Sequence, residues 1–336
     1  MASVILSRVA DAVFVSADVE VGAQIAVEDR PLVEQDKDVL LPPQGRGRLF
    51  FADGSPKESL QHTADHERIA GVAAKKWAFL EQAPGGYFIL SALAGIYLGF
   101  GIALIFSLGG PLAAAGSPVV KLIMGVSFGI ALTLVIFAGS ELFTGNNLIG
   151  VIGGLSRSLS WGQVIQLNAW SWIGNLAGSL GLAWLIVQSG VFAKGPSAEL
   201  IEKVAAVKML LPAWELFVRG ILCNWLICLA VWMTGRTTND TAKILLIFWC
   251  LFAFIGTGFE HSVANQSLLG MALFLPHDAA VTWTAFWYNQ LFVVLGNLVG
   301  GGVFVGGLYW MVSPYRVAEA PVMPVARPAT SAAVGS

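Results

Sequence analysis

The most chemically loaded point in the sequence is a histidine beside a glutamate inside an oily run. His261 follows Glu260 in Gly256-Thr-Gly-Phe-Glu-His-Ser262, and ionisable groups at such depth in apolar segments are rare unless they serve a function. Imidazole exchanges its proton near neutral pH after small environmental shifts, which suits a proton donor to a passing base. The blander alternative is a histidine satisfied by a backbone carbonyl. Glu141 lies in a second polar interruption, Gly139-Ser-Glu-Leu-Phe-Thr-Gly-Asn-Asn147. It matches Glu260 in position, so a structural role is the more economical for both: each carboxylate can accept from the free N–H groups of its interrupted helix. Thr144 and Asn224 carry hydrogen-bonding groups for a solute or for His261, although such residues also bridge membrane helices. Lys208, with Glu215 and Arg219 following it, would raise the anion concentration at a pore mouth or anchor in headgroups. Phe128, Phe137, Phe143 and Phe254 bracket the two interruptions as apolar gates or as packing.

The elements that must position these residues are set by composition. Of 336 residues, 56% are hydrophobic and 12% charged, against about 25% charged in a soluble domain. From Gly85 to Ser313 apolar runs follow one another with short breaks, so most of the chain belongs in lipid. A net charge of -2 without a basic stripe gives a nucleic-acid partner no electrostatic basis. Cys223, Cys228 and Cys250 lack metal-ligand or disulfide spacing and read as small buried hydrophobes. No cofactor motif, metal constellation or nucleophile paired with a base is visible, which argues against an integral membrane enzyme using His261 and Glu260 as acid and base. No charged-then-apolar leader is apparent at Met1 to Leu41.

Residues 1–62 hold turn signals such as Asp53-Gly-Ser-Pro56 without a sustained helical period, and are expected to form a disordered cytoplasmic extension. A scaffold working through that segment is a further reading. Residues 63–315 are expected to form the transmembrane domain, and 316–336 a disordered tail. The domain opens with an amphipathic helix in which Ile69, Val72, Ala73, Trp77 and Leu80 share one face, expected to lie along the headgroups. Six spans follow at about 86–109, 119–155, 161–189, 212–234, 241–275 and 283–312. The second and fifth are too long and too polar in the middle, and read as broken helices lining a shared polar path. Lys and Arg flanking the spans, including Arg68, Lys75, Lys76, Arg157, Arg236, Lys243 and Arg316, place both termini on the cytoplasmic side.

An internal repeat is legible. Gly174-Asn-Leu-Ala-Gly178 answers Gly296-Asn-Leu-Val-Gly300, and Gly139-x-Glu141 answers Gly258-x-Glu260. Three spans per half is an odd number, so the halves enter the membrane in opposite directions. The expected fold is all-α, with six transmembrane helices in two inverted three-helix repeats. Small residues such as Gly95, Gly99 and Gly101 let its helices touch.

At Ala138-Gly-Ser-Glu-Leu-Phe-Thr-Gly-Asn146, Gly220-Ile-Leu-Cys-Asn-Trp-Leu-Ile-Cys-Leu-Ala-Val-Trp232 and Gly258-Phe-Glu-His-Ser-Val-Ala-Asn265, the chain resembles the formate/nitrite transporter family, in forms closer to its nitrite-channel branch. The resemblance runs from about residue 64 to 315. It implies an aquaporin-like homopentamer in the inner (plasma) membrane, with one pore per protomer, no cofactor and a small anion, nitrite or formate, moving with a proton. It further implies His261 as the central histidine, Thr144 as its loop partner, Asn224 as the polar residue of the fourth span and Lys208 as the vestibule lysine. Phe128, Phe254 and Leu142 would be the constriction residues. The Asn-Pro-Ala box of aquaporins is missing from both halves, so water or glycerol conduction is not implied.

Overall fold

The computed structural model describes residues 63–312, all of whose regular structure is helical. The extension over 1–62 and the tail over 316–336 lie outside the described residues. In chain order the helices are α1 (Thr63–Gln82), α2 (Pro84–Ala114), α3 (Val120–Ser127), α4 (Gly129–Phe137), α5 (Phe143–Leu155), α6 (Trp161–Gln188), α7 (Pro196–Leu210), α8 (Ala213–Thr234), α9 (Asp240–Thr257), α10 (Ser262–Phe274) and α11 (Trp283–Leu298). A π-helical stretch over Val299–Gly307 then leads into α12 (Leu308–Val312).

Local chemistry explains where these elements start. Pro84 opens α2, where its missing N–H costs nothing. Ser160 and Gln163 form a reciprocal capping box at α6, and Asn239 and Thr282 cap α9 and α11 with side-chain oxygens. Six apolar stretches are long enough to cross a bilayer: Pro84–Ala114, Val120–Phe137, Trp161–Gln188, Ala213–Thr234, Asp240–Thr257 and Trp283–Val312. Only 22–44% of each apolar window is buried, so the outward faces offer surface that lipid or another copy must cover.

The repeat is carried by glycine pairs. A Cβ at Gly178 would fall onto the Ala92 carbonyl, and one at Gly300 onto the Ile221 carbonyl. Likewise Gly174 meets Ser91, and Gly296 meets the Phe217 carbonyl. Helix α2 therefore lies on α6 as α8 lies on α11, in both cases closer than any larger residue would allow.

Two features differ from the sequence reading. The apolar face of α1 is turned into the bundle: Ile69, Ala73 and Leu80 are buried with Leu148, Ile149 and Ile152 of α5. The helix covers protein because Gly153 lets Ala73 approach. The sixth span relaxes into π geometry across Val299-Gly-Gly-Gly, a change the glycines permit and hydropathy does not reveal.

Candidate functional site

Each interruption is a short non-helical passage stitched by backbone and amide bonds. In the first, α4 ends at Phe137, Gly139 takes a left-handed φ of 75°, and α5 starts at Phe143. Only glycine adopts that φ without strain. The Glu141 N–H donates to Leu90 O (3.2 Å). Asn175 of α6 then closes the gap: its Oδ1 accepts from Phe143 N (2.9 Å), and its Nδ2 donates to Ser91 O (2.7 Å) and Glu141 O (2.9 Å).

The second interruption repeats these bonds one for one. Gly258 takes a φ of 82°, and Glu260 N donates to Arg219 O (3.2 Å). Asn297 of α11 accepts from Ser262 N (2.9 Å) and donates to Gly220 O (2.8 Å) and Glu260 O (3.1 Å). A sequence reading has the two glutamates accepting the free N–H groups. The structure gives that task to the two asparagines, whose amides both donate and accept.

The carboxylates instead face lysines from outside the breaks. Glu141 bonds Lys76 Nζ (2.5 Å) and Asn146 Nδ2 (3.2 Å); Glu260 bonds Lys208 Nζ (2.6 Å) and Asn265 Nδ2 (2.6 Å). Lys76 precedes the first span and Lys208 follows the third, so the two pairs stand on opposite faces. Lys208 is thus matched by a carboxylate rather than standing as a free cation at a mouth. A cavity of about 370 Å³ on the Lys76 side is lined by Lys76, Ser140, Glu141, Leu142, Asn146 and Val231.

Between the two breaks sit the groups that differ. His261 occupies the place of Leu142, each two residues after its left-handed glycine's successor and one after its glutamate. His261 Nδ1 accepts from Ala264 N (3.2 Å), capping α10. With that nitrogen engaged as an acceptor, the neutral ring carries its proton on Nε2. Nε2 lies 3.1 Å from Thr144 Oγ, so the ring donates to the hydroxyl. Phe254 stacks on the imidazole at 5.9 Å between centroids, and Phe128 meets Phe254 edge-on at 5.6 Å. His261, Thr144, Phe128, Phe254 and Leu142 are all buried. With its oxygen accepting from the ring, the Thr144 hydroxyl keeps its own proton to donate, in apolar surroundings where such bonds are strong because water is scarce.

The remaining expected residues fall elsewhere. The Asn224 amide is engaged by protein: Nδ2 reaches Thr144 O (3.2 Å), Asn147 Oδ1 (2.8 Å) and Asn297 O (2.7 Å). It stands behind Thr144 and makes no bond to His261. Phe143 is buried in the first break, while Phe137 faces outward at 44% exposure. Glu215 and Arg219 pair with each other on the surface (2.7 Å). Lys76, Asn146, Asn175, Asn265 and Asn297 were not singled out for these roles from sequence. The repeat was the available signal, since it makes whatever holds Glu260 the template for whatever holds Glu141.

The described residues form an all-helical bundle with six stretches long and apolar enough to cross a bilayer, the build of a multi-pass membrane protein. The sequence pattern of the formate/nitrite transporter family matches residues 64–311. The nitrite transporter NirC of Salmonella typhimurium is 44% identical over 258 residues, covering 77% of this chain and 92% of that protein. Among solved structures, an FNT family ion channel superposes with a TM-score of 0.72 at 44% identity, covering 75% of this chain and all of that one. A pentameric formate channel with formate bound gives 0.62 at 29% identity, covering 69% of this chain and 98% of that one. The chain belongs to the formate/nitrite transporter family, and is accordingly a multi-pass membrane transporter of small anions rather than an enzyme.

Proposed function

We propose that the protein conducts nitrite, and formate by the same chemistry, as a proton-coupled anion that crosses the narrowest point in neutral form. The observation that carries this reading is the His261–Thr144 pair, 3.1 Å apart and buried under Phe254 and Phe128. An anion in that sleeve loses hydration worth several kcal/mol or more. Lost hydration raises the proton affinity of the anion, while the Thr144 hydroxyl, held in place by the imidazole Nε2–H, orients it. A proton delivered from the bulk as hydronium through the water that accompanies the anion then completes the neutral acid and leaves only neutral water behind, and the acid passes the phenylalanines at far lower cost. The similarity to the NirC protein favours nitrite as the preferred solute.

A passive anion channel with a permanently charged imidazole is the rival. Protonating Nδ1 would set an N–H against the Ala264 N–H that now points at it, which favours the neutral ring. The similarity to a pentameric channel supports a homopentamer with one lane per protomer. The distribution of Lys and Arg supports an orientation with both termini cytoplasmic.

The test is flux in proteoliposomes loaded with nitrite, formate, acetate or hydrosulfide under imposed pH gradients. Movement as the neutral acid carries no current, so coupled flux follows the pH gradient, acidifies the receiving side and ignores membrane voltage, and His261→Ala lowers it. A reversal potential that follows only the anion gradient would establish the passive channel instead.

A further inference from the structure

The correspondence between the halves extends beyond the breaks, and there it fails in an informative way. Glu141 matches Glu260 and Asn146 matches Asn265, so Asn147 matches Gln266 and Leu148 matches Ser267. Leu90 and Ser91 match Arg219 and Gly220 as backbone acceptors, so four residues after the second pair Gly95 matches Asn224. Asn175 matches Asn297; hence Asn168 matches Gln290 and Ser179 matches Gly301.

In the first half these positions form a chain of three amides. Asn147 Nδ2 donates to Asn168 Oδ1 (2.8 Å), and Asn147 Oδ1 accepts from Asn224 Nδ2 (2.8 Å). Gly301 leaves room for it, since a Cβ there would stand 2.6 Å from Asn224 Nδ2 and 3.1 Å from Asn147 Cβ. In the second half the asparagine of α8 is replaced by Gly95 of α2, and a Cβ at Gly95 would fall onto the Asn175 carbonyl. No side chain fits. Ser179 Oγ, 2.9 Å from that Cβ position, occupies the space in its stead, and Ser267 Oγ lies against Gly99 one turn further along α2.

A serine hydroxyl is too short to bridge two glutamines. Both ends of the Gln266 amide, Gln290 Oε1 and the hydroxyls of Ser179, Ser262 and Ser267 have no protein hydrogen-bond partner among the described residues. All five side chains are buried, none more than 1% exposed. Gln290 Nε2 ties the group to the break by donating to Ser262 O (3.1 Å). Buried amides and hydroxyls are hydrogen-bonded in folded proteins as a rule, and six orphan atoms on α6, α10 and α11, with Ser179 and Ser267 both facing α2 at Gly95 and Gly99, call for a ligand that both donates and accepts. No formal charge is among them, so the site suits a small neutral molecule over an anion.

We propose that Gln266, Gln290, Ser179, Ser262 and Ser267 form a buried water-binding site behind the second break, holding about two water molecules at about three hydrogen bonds each. The first break is braced from behind by direct amide contacts, the second by exchangeable water next to His261. This site goes beyond the transport reading and does not depend on which anion passes.

The test is synchrotron hydroxyl-radical footprinting of the purified full-length protein, with a density map at a resolution that shows ordered water. Water bound at the site labels Leu182, which packs against Gly99 beside Ser267. The expected result is labelling of Leu182 that falls several-fold in Gln266→Leu, with density bridging Gln266 and Ser179 in the unaltered protein. An unlabelled Leu182 with no such density, and a Gln266→Leu protein that melts at higher temperature because a dry, unpaired amide has been removed, would overturn the proposal. If Gln266→Leu does not assemble, Ser179→Ala serves in its place: reduced Leu182 labelling supports the site, and unchanged labelling refutes it.

Discussion

The two breaks share a scaffold and differ in what they place at the centre. Each has a left-handed glycine, a lysine-matched glutamate and an asparagine that bridges the gap from a neighbouring helix. One then presents Leu142 and Thr144, the other His261 and Val263. The shared groups are those that backbone hydrogen bonding requires at any interruption of a membrane helix. The unshared ones are free to carry chemistry, because nothing in the stitching depends on them apart from the cap that His261 supplies. Chemistry here is therefore read from departures between the halves.

Substitutions in the two halves would break or sharpen that comparison. The largest effect is expected from Lys208→Met, which leaves Glu260, 1% exposed, as an unpaired buried charge at a cost of about 3–5 kcal/mol. Lys76→Met should cost less, since the Glu141 side chain is 10% exposed, and thermal unfolding in detergent would rank the two. Recovery of stability in Lys208→Met/Glu260→Gln would show that the penalty belongs to the lone carboxylate. Equal losses at both lysines would mean that the halves are braced alike.

Asn297→Leu comes next. It strips partners from Ser262 N, Gly220 O and Glu260 O, and the orphaned Ser262 N–H in particular costs roughly 1–3 kcal/mol. Asn175→Leu should match it if the stitching is equivalent. His261→Ala removes a helix cap worth about 1 kcal/mol together with the imidazole N–H. His261→Asn should restore the cap and the melting temperature while leaving pH-coupled flux low. Recovery of flux in the asparagine variant would reduce His261 to a structural residue. The smallest change in stability, within about 1 kcal/mol, is expected for Thr144→Val, with its effect confined to the rate and solute preference of liposome flux.

Much of this design was legible before any coordinates. The polar interruptions stand out in apolar runs because lipid tolerates so few such residues, and the glycine-flanked asparagine motifs disclose the repeat. The asparagines' task was not legible, because it depends on which helix lies across the gap. Lys76 was hidden for the same reason: it reads as an interfacial charge until α1 folds back and aims it at Glu141. The amide chain of Asn168, Asn147 and Asn224 joins residues from three helices, so no local pattern marks it. Asn224 accordingly reads equally as a solute ligand or a helix bridge, and its amide bonds brace the loop that carries Thr144.

The matching of each lysine to a carboxylate has an electrical consequence. With Lys76 and Lys208 cancelled by partners within 2.6 Å, the approaches present dipoles instead of net positive fields, and dipole fields fade quickly with distance. Added salt screens long-range attraction between separated charges, yet has little to screen here. Capture of the solute should therefore depend on its own concentration and on pH, and stay nearly flat as ionic strength rises.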